Sequence, residues 1–295
     1  MSKYYFVFAA LLFTACANDK KDYDAAGTFE ATEITVSAET TGGLMQFDVI
    51  EGQTLALGQQ VGLIDTVQLA LKARGLGATK SSIANQRPNT TVQIAALRQE
   101  IAKAEMEQKR YAALVKDGAA NQKQLDDATS AVNVLKKQLA AQTATLGNST
   151  SSLNSQMTAT EIQREQVLDQ LKKCHIVAPI DGTVLEKYTE CGEYAVVGKP
   201  LFKLADVDNL FLRAYVTSAQ LSTVKIGQDV TVFCDYGNDN RKQYKGKVAW
   251  ISSQAEFTPK TILTDDERAN LVYAVKIAVK NDGNIKIGMY GEVKF

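Results

Sequence analysis

Two patterns of apolar and polar positions divide the chain. Residues 28–66 and 174–206 are short apolar runs broken by glycines, as in "GGLMQFDVIEGQTLALGQQVGLI" and "GTVLEKYTECGEYAVVGKPLFKLA". Runs of this length between turn residues predict short strands. Between them, from Val67 to Lys173, the sequence changes to Ala, Gln, Lys, Glu and Leu with a single proline, Pro88, which is helix-forming material. Beyond residue 206 the strand pattern returns, and "NLFLRAYV", "DVTVFCDY", "YKGKVAWI" and "LVYAVKIAV" predict a compact β barrel over 207–295. Ser218 is placed to cap one helical turn there, and Gly227 to end it.

The helical stretch, 67–173, supplies its own partner. Leu125, Val132, Leu139, Leu146 and Leu153 recur every seven residues, with Ala128 and Leu135 at alternate seam positions, which is a coiled-coil seam. Ile94, Leu97, Ile101, Ala104 and Tyr111 give the earlier arm a matching stripe. The arms meet at "VKDGAANQ", where Gly118 suits the left-handed end of one helix and Asn121 with Gln124 makes a capping box for the next. A short turn predicts antiparallel arms, and about fifty residues per arm give a rod of about 75 Å at 1.5 Å per residue. "ANQRPNTT" and "LGNSTSSLNS" interrupt the two apolar patterns at similar distances from the turn, so a shared break is expected. Gln142, Gln156, Gln163 and Gln170 fall on seam positions, which predicts a less apolar and more mobile base half.

The two strand-rich segments repeat one another. Ala38, Gly42, Gly52 and Gly58 recur at a constant offset as Ala178, Gly182, Gly192 and Gly198. Neither half can bury its apolar face alone, so the two are expected to fold together as one small β sandwich, with the hairpin leaving from their junction.

Charge and the chain's first residues narrow its partners. The 33 Lys and Arg balance 33 Asp and Glu with no basic block, which argues against nucleic acid. "MSKYYFVFAALLFTAC" has one lysine and then an apolar run shorter than the roughly 20 residues a membrane-spanning helix needs, so 1–15 reads as a secretory signal. Phe13 to Cys16 resembles the lipobox of bacterial lipoproteins, which implies a lipid on Cys16 and a solvated tether over 16–27. The expected location is the periplasm, anchored to a membrane, the inner one first. Cys174, His175 and Cys191 lack the close spacing of a metal site, so buried cysteines and a surface histidine are expected. Neither a phosphate-binding loop nor a Ser, His and acid set is present, so the chain is expected to be no enzyme and to carry no cofactor.

"VSAETTGGL" and "IVAPIDGTV" resemble the biotinyl/lipoyl fold, and their separation by a helical hairpin is similar to the hemolysin-D-type periplasmic adaptors, or membrane fusion proteins. The expected class is therefore α+β: a split lipoyl-like β sandwich, an inserted coiled-coil hairpin and a small β barrel. True carriers hold a modified lysine where this chain departs into its hairpin, so Lys72 and Lys172 are expected to be ordinary helix-surface residues. "AEFTPKTILTDDERANLVYAVKI" resembles a segment of adaptors that serve ATP-binding-cassette exporters, which implies an inner-membrane exporter of that class as partner. "IKIGMYGEV" is similar to the family's late Pro-Gly-Met strand, with Ile287 in place of proline. With Phe295 last, a separate membrane-proximal domain is expected to be rudimentary. At the hairpin tip Arg110 and Leu114 match the spacing of adaptors that meet a TolC-like outer-membrane channel, with Asn121 where those have serine; the resemblance assigns all three to channel contact. Read as residues alone, Arg110 is equally a solvated charge, Leu114 a seam residue and Asn121 a cap. The resemblance also implies several copies, a trimer or hexamer, around a channel axis. A structural envelope lipoprotein with the rod as spacer, and a biotin or lipoyl carrier, are the alternative readings.

Overall fold

The computed structural model describes residues 23–235, 241–257 and 271–295. The signal (1–15), Cys16 and residues 258–270 of the exporter-like segment lie outside them. In chain order the elements are β1 (Ala25–Ser37), β2 (Gly42–Phe47), β3 (Thr54–Leu55), β4 (Gln60–Ile64), α1 (Val67–Asn85), α2 (Thr90–Lys116), α3 (Gln122–Lys173), β5 (His175–Val177), β6 (Gly182–Lys187), β7 (Tyr194–Ala195), β8 (Pro200–Thr217), α4 (Ser218–Leu221), β9 (Asp229–Asp235), β10 (Arg241–Ile251), β11 (Glu256–Phe257), β12 (Leu271–Lys280) and β13 (Tyr290–Lys294). The strands form a nine-stranded sheet, β11-β12-β10-β9-β13-β1-β8-β6-β3, and a four-stranded one, β5-β4-β2-β7. The chain falls into a β unit (1–38, 46–62 and 176–295) and a helical unit (39–45 and 63–175).

In the β unit the repeated residues bond to each other across the insertion. Gly58 N–H donates to the Ala178 carbonyl and Gly198 N–H to the Ala38 carbonyl, both at 2.8 Å; Ala178 N–H and Ala38 N–H return bonds to the Gln59 and Lys199 carbonyls at 2.9 Å. Each half thus closes the other's turn. The glycines at these turns have φ of 76° and 86°, a backbone region that side chains other than glycine rarely occupy. Gly182 is required for a different reason. A Cβ there would stand 2.6 Å from the Ala205 carbonyl oxygen, because β6 lies against β8. Leu55, Val184, Ala195, Leu201, Phe202 and Leu204 of this unit are almost fully buried.

Two long strands carry the chain from sandwich to barrel. β8 runs unbroken through residue 206, and β1 begins at Ala25, inside the stretch the sequence assigns to the tether. From Thr32 to Ser37, β1 pairs with the first part of β8; from Ala26 to Glu30 it pairs with the last part, after a bulge at Ala31. Ala25 to Thr28 also pairs with β13. Because β8 pairs with β12 as well, β12, β10, β9, β13, β1 and β8 close into a ring without free edges. Phe29, Leu212, Val232, Val248, Ile277 and Val293 fill its interior.

In the helical unit, residues from both arms' stripes are buried: Ile94 and Ile101 on α2 and Val132 and Leu146 on α3. The expected break is real in the first arm, between Asn85 and Thr90, but α3 is continuous for 52 residues. The serines and threonines of "LGNSTSSLNS" and its flanks do not break it, since Thr150, Ser155, Thr158 and Thr160 donate to carbonyls four residues back, at 2.9 to 3.1 Å. Arg87, in the break, donates to Asn154 of α3, so the two polar stretches do lie side by side. Lys80 pairs with Glu161 at 3.0 Å and Glu105 with Lys136 at 2.7 Å. The spans 80–105 and 136–161 are equal, so the interruption adds no slip to the antiparallel register. The Lys136 ammonium holds the Glu105 carboxyl below the usual carboxylate range.

The base half of the seam also differs from expectation. Gln142, Gln156, Gln163 and Gln170 are exposed. Thr160 and Val167 are buried instead, with Leu153, Met157 and Leu171 half-buried, because the seven-residue series begun at Leu125 continues to Cys174 and leaves the glutamines beside the seam.

Gly182→Ala is expected to cost 3 kcal/mol or more (about the size of a backbone clash that cannot relax), whereas Gly43→Ala, with open space around its Cβ, stays within about 0.5 kcal/mol in urea unfolding. Leu146→Ala should cost about 2–3 kcal/mol and Gln156→Ala almost nothing. The reverse order in thermal melts would return the glutamines to the seam.

Candidate functional site

The tip of the hairpin is built by two caps. At the end of α2, Ala119 N–H reaches back to the Leu114 carbonyl at 2.8 Å and Gly118 N–H to Val115 at 3.1 Å, with Gly118 at φ 73°. This pair of bonds is the Schellman ending. At the start of α3, Asn121 Oδ1 accepts from Gln124 N–H at 3.0 Å, and Gln124 Oε1 accepts from Asn121 N–H at 3.1 Å, so the capping box is complete. The caps thus bond two of the carbonyls that the end of α2 leaves open and one N–H of the first turn of α3.

Arg110, Leu114 and Asn121 are all exposed, and the first two share one face of α2 by their four-residue spacing. Val115, one residue on, is the half-buried neighbour that lies toward the seam. Leu114 is 36% exposed. The Arg110 guanidinium pairs with Glu107 on its own helix at 2.8 Å and lies 5.6 Å from the Tyr111 ring. A solvated pair of this kind is weak and is readily exchanged for an incoming acceptor. The tip can therefore offer an arginine fork, an aliphatic contact and, at Asn121, side-chain hydrogen bonding limited by its duty as a cap.

Elsewhere Lys72 and Lys172 stand exposed on α1 and α3. Cys174 and Cys234 are buried and Cys191 is exposed, with no disulfide among the described residues. Burial pushes the Cys174 thiol pKa up; its Sγ faces the Gln170 carbonyl at 3.4 Å. His175 is exposed. One cluster escaped the sequence reading. Arg213 on β8 binds both carboxylate oxygens of Glu256 at 2.9 and 3.0 Å, while Glu30 on β1 draws Lys276 to 3.4 Å and Arg213 to 3.9 Å. Its signal was the alternation of polar residues with the buried ones on β8, but register alone decides which strand meets which.

Residues 32–206 match the family model described as "RND MFP, barrel-sandwich hybrid domain". Among curated proteins, the "UPF0194 membrane protein YbhG" of Salmonella gallinarum is 36% identical over 126 residues, which is 42% of this chain and 38% of the relative. The matched region thus spans well under half the length of that relative. Two solved structures share the fold: MacA from Actinobacillus actinomycetemcomitans (TM-score 0.56, 21% identity, 91% of this chain and 76% of that one) and a MacA–MexA chimera with the Pseudomonas aeruginosa MexA α-hairpin (TM-score 0.55, 22% identity, 91% and 78%). With more than half its length matched to that model, a split β body interrupted by a two-armed hairpin, and a barrel after it, the chain belongs to the membrane fusion protein family with the barrel-sandwich hybrid domain.

Proposed function

We propose that the protein is a non-enzymatic periplasmic adaptor. It links an inner-membrane exporter of the ATP-binding-cassette class to a TolC-like outer-membrane channel, held to the inner membrane by a lipid on Cys16 and assembled as a trimer or hexamer around the conduit. The observation that carries this reading is the rod. α3 alone has 52 residues, about 78 Å at 1.5 Å per residue, which is a reach far beyond what a small β body needs for its own stability. Its end is capped internally, and Leu114 and Arg110 face outward. Family membership supports the adaptor role in general. The exporter class is supported by the segment around residues 255–277, and the channel by the spacing of Arg110 and Leu114. In a spacer that only holds envelope layers apart, the chemistry of the tip would be immaterial.

The export phenotype of a deletion strain, defined by a susceptibility screen, gives the assay. Arg110→Glu with Leu114→Asp is expected to reduce export roughly tenfold or more, the usual consequence of losing two central contacts of an interface. Cellular level and melting temperature should stay near those of the parent, because neither side chain is buried. Asn121→Ser should retain export, since serine caps as well as asparagine. Full export with the doubly substituted tip would favour the spacer.

A further inference from the structure

The chain's exit toward its N-terminus is fixed at one end of the barrel. Asp24 N–H donates to the Val293 carbonyl at 2.9 Å, its Oδ2 accepts the Phe295 N–H at 2.8 Å, and its carbonyl accepts Gln220 Nε2 of α4 at 2.6 Å. The same end holds the start of β12, where Val272 partners Thr217, which caps α4 in place of the expected Ser218, itself the first residue of the helix. Eight steps along the chain separate Cys16 from Asp24, which at about 3.5 Å each reach roughly 28 Å at full extension. On the lipid-anchor reading given above, on which this inference rests, this end of the barrel therefore lies within that distance of the bilayer.

The turn after α4 is at the same end. Gln228 Oε1 accepts from Lys225 N–H at 3.0 Å and Gln228 N–H returns a bond to the Lys225 carbonyl at 3.1 Å. Gly227, at φ 87°, donates to the Val248 carbonyl at 2.8 Å, and Val248 N–H donates to Gln228 at 2.9 Å. These bonds hold Ile226 at a rigid apex, 67% exposed. Glycine turns of similar build expose Leu57 and Val197 in the sandwich, so an aliphatic apex is not unusual in this fold. What sets Ile226 apart is its place beside the exit toward Cys16, together with Leu271, 52% exposed at the start of β12. Lys225 forms no ion pair among the described residues. Among the described carboxylates at this end, Asp24 accepts the Phe295 N–H, Glu256 is paired with Arg213, and Asp229 is exposed.

We propose that the Lys225–Gln228 turn is a second, non-covalent contact with the lipid surface, which orients the barrel on the membrane that its acyl chains hold. Ile226 enters the boundary between headgroups and acyl chains, and the Lys225 ammonium stays level with anionic headgroups. An aliphatic side chain beside a lysine on a preformed turn matches that boundary, where the apolar part is buried and the cation remains wet. A turn that needs no ordering on contact also loses little entropy.

Full-length protein extracted from membranes and reconstituted in vesicles of phosphatidylethanolamine and phosphatidylglycerol provides the test. Trp250→Phe removes the chain's single tryptophan, and Ile226→Trp then reports on the apex. Acyl chains brominated within the bilayer should dim the emission from position 226 by at least about twofold, whereas the matched apex probe, Leu57→Trp, should stay bright. Equal brightness at the two positions, in protein whose intact mass shows acyl groups on Cys16, overturns the proposal and leaves the anchor standing. That result would also be found if this surface served a protein partner instead. An intact mass without acyl groups removes the anchor reading and the proposal with it.

Discussion

Each half of the β sandwich bonds to the other's turn, in addition to the bonds each turn makes within itself. Gly58 bonds to Ala178 and Gly198 to Ala38 across the whole length of the inserted helices. Their acceptors, the Ala178 and Ala38 carbonyls, belong to buried residues while the glycines are exposed, and each such bond contributes on the order of 1 kcal/mol. The exchange therefore demands that both halves be present together. It also tolerates an insertion of any length between them, since the cost of closing a flexible loop rises only slowly with its size, and here most of the insertion is ordered by its own seam. The split motif is thus a device for holding a long hairpin by both of its chain ends.

The hairpin meets a constraint of its own. Two helices bury only a narrow stripe, so register has to be fixed by more than apolar contact. Lys80 with Glu161, Arg87 with Asn154, and Glu105 with Lys136 do this on both sides of the proline break. Individually such exposed pairs contribute little; what they supply is a penalty for sliding. The result is a rod with one interrupted arm and one continuous one.

Much of this was legible in the sequence. The glycine repeat marked the paired halves, the seven-residue series marked the seam, and Asn121 with Gln124 marked the start of α3, because each of these signals is local or strictly periodic. Three features were not legible. A stretch as polar as "LGNSTSSLNS" stays helical when its hydroxyls bond back along the helix, which composition does not reveal. The glutamines looked like seam residues because a one-residue shift in phase cannot be judged from one arm alone. The sharing of β1 and β8 between sandwich and barrel depends on pairing register over long sequence distances, which alternation within a strand does not encode.

At the tip Asn121 and Gln124 are engaged in the cap, whereas Arg110 and Leu114 are exposed. Function in this account therefore concentrates where stability does not, at Leu114 and Arg110 on the tip. The most direct measurement is in-cell crosslinking with a photo-reactive side chain placed at position 114, compared with one at the exposed position 134, about three turns down α3 from the tip. The account predicts a crosslink from 114 to an outer-membrane channel protein and none to it from 134. No channel crosslink from 114, with the protein present at normal levels and its melting temperature unchanged, would contradict it.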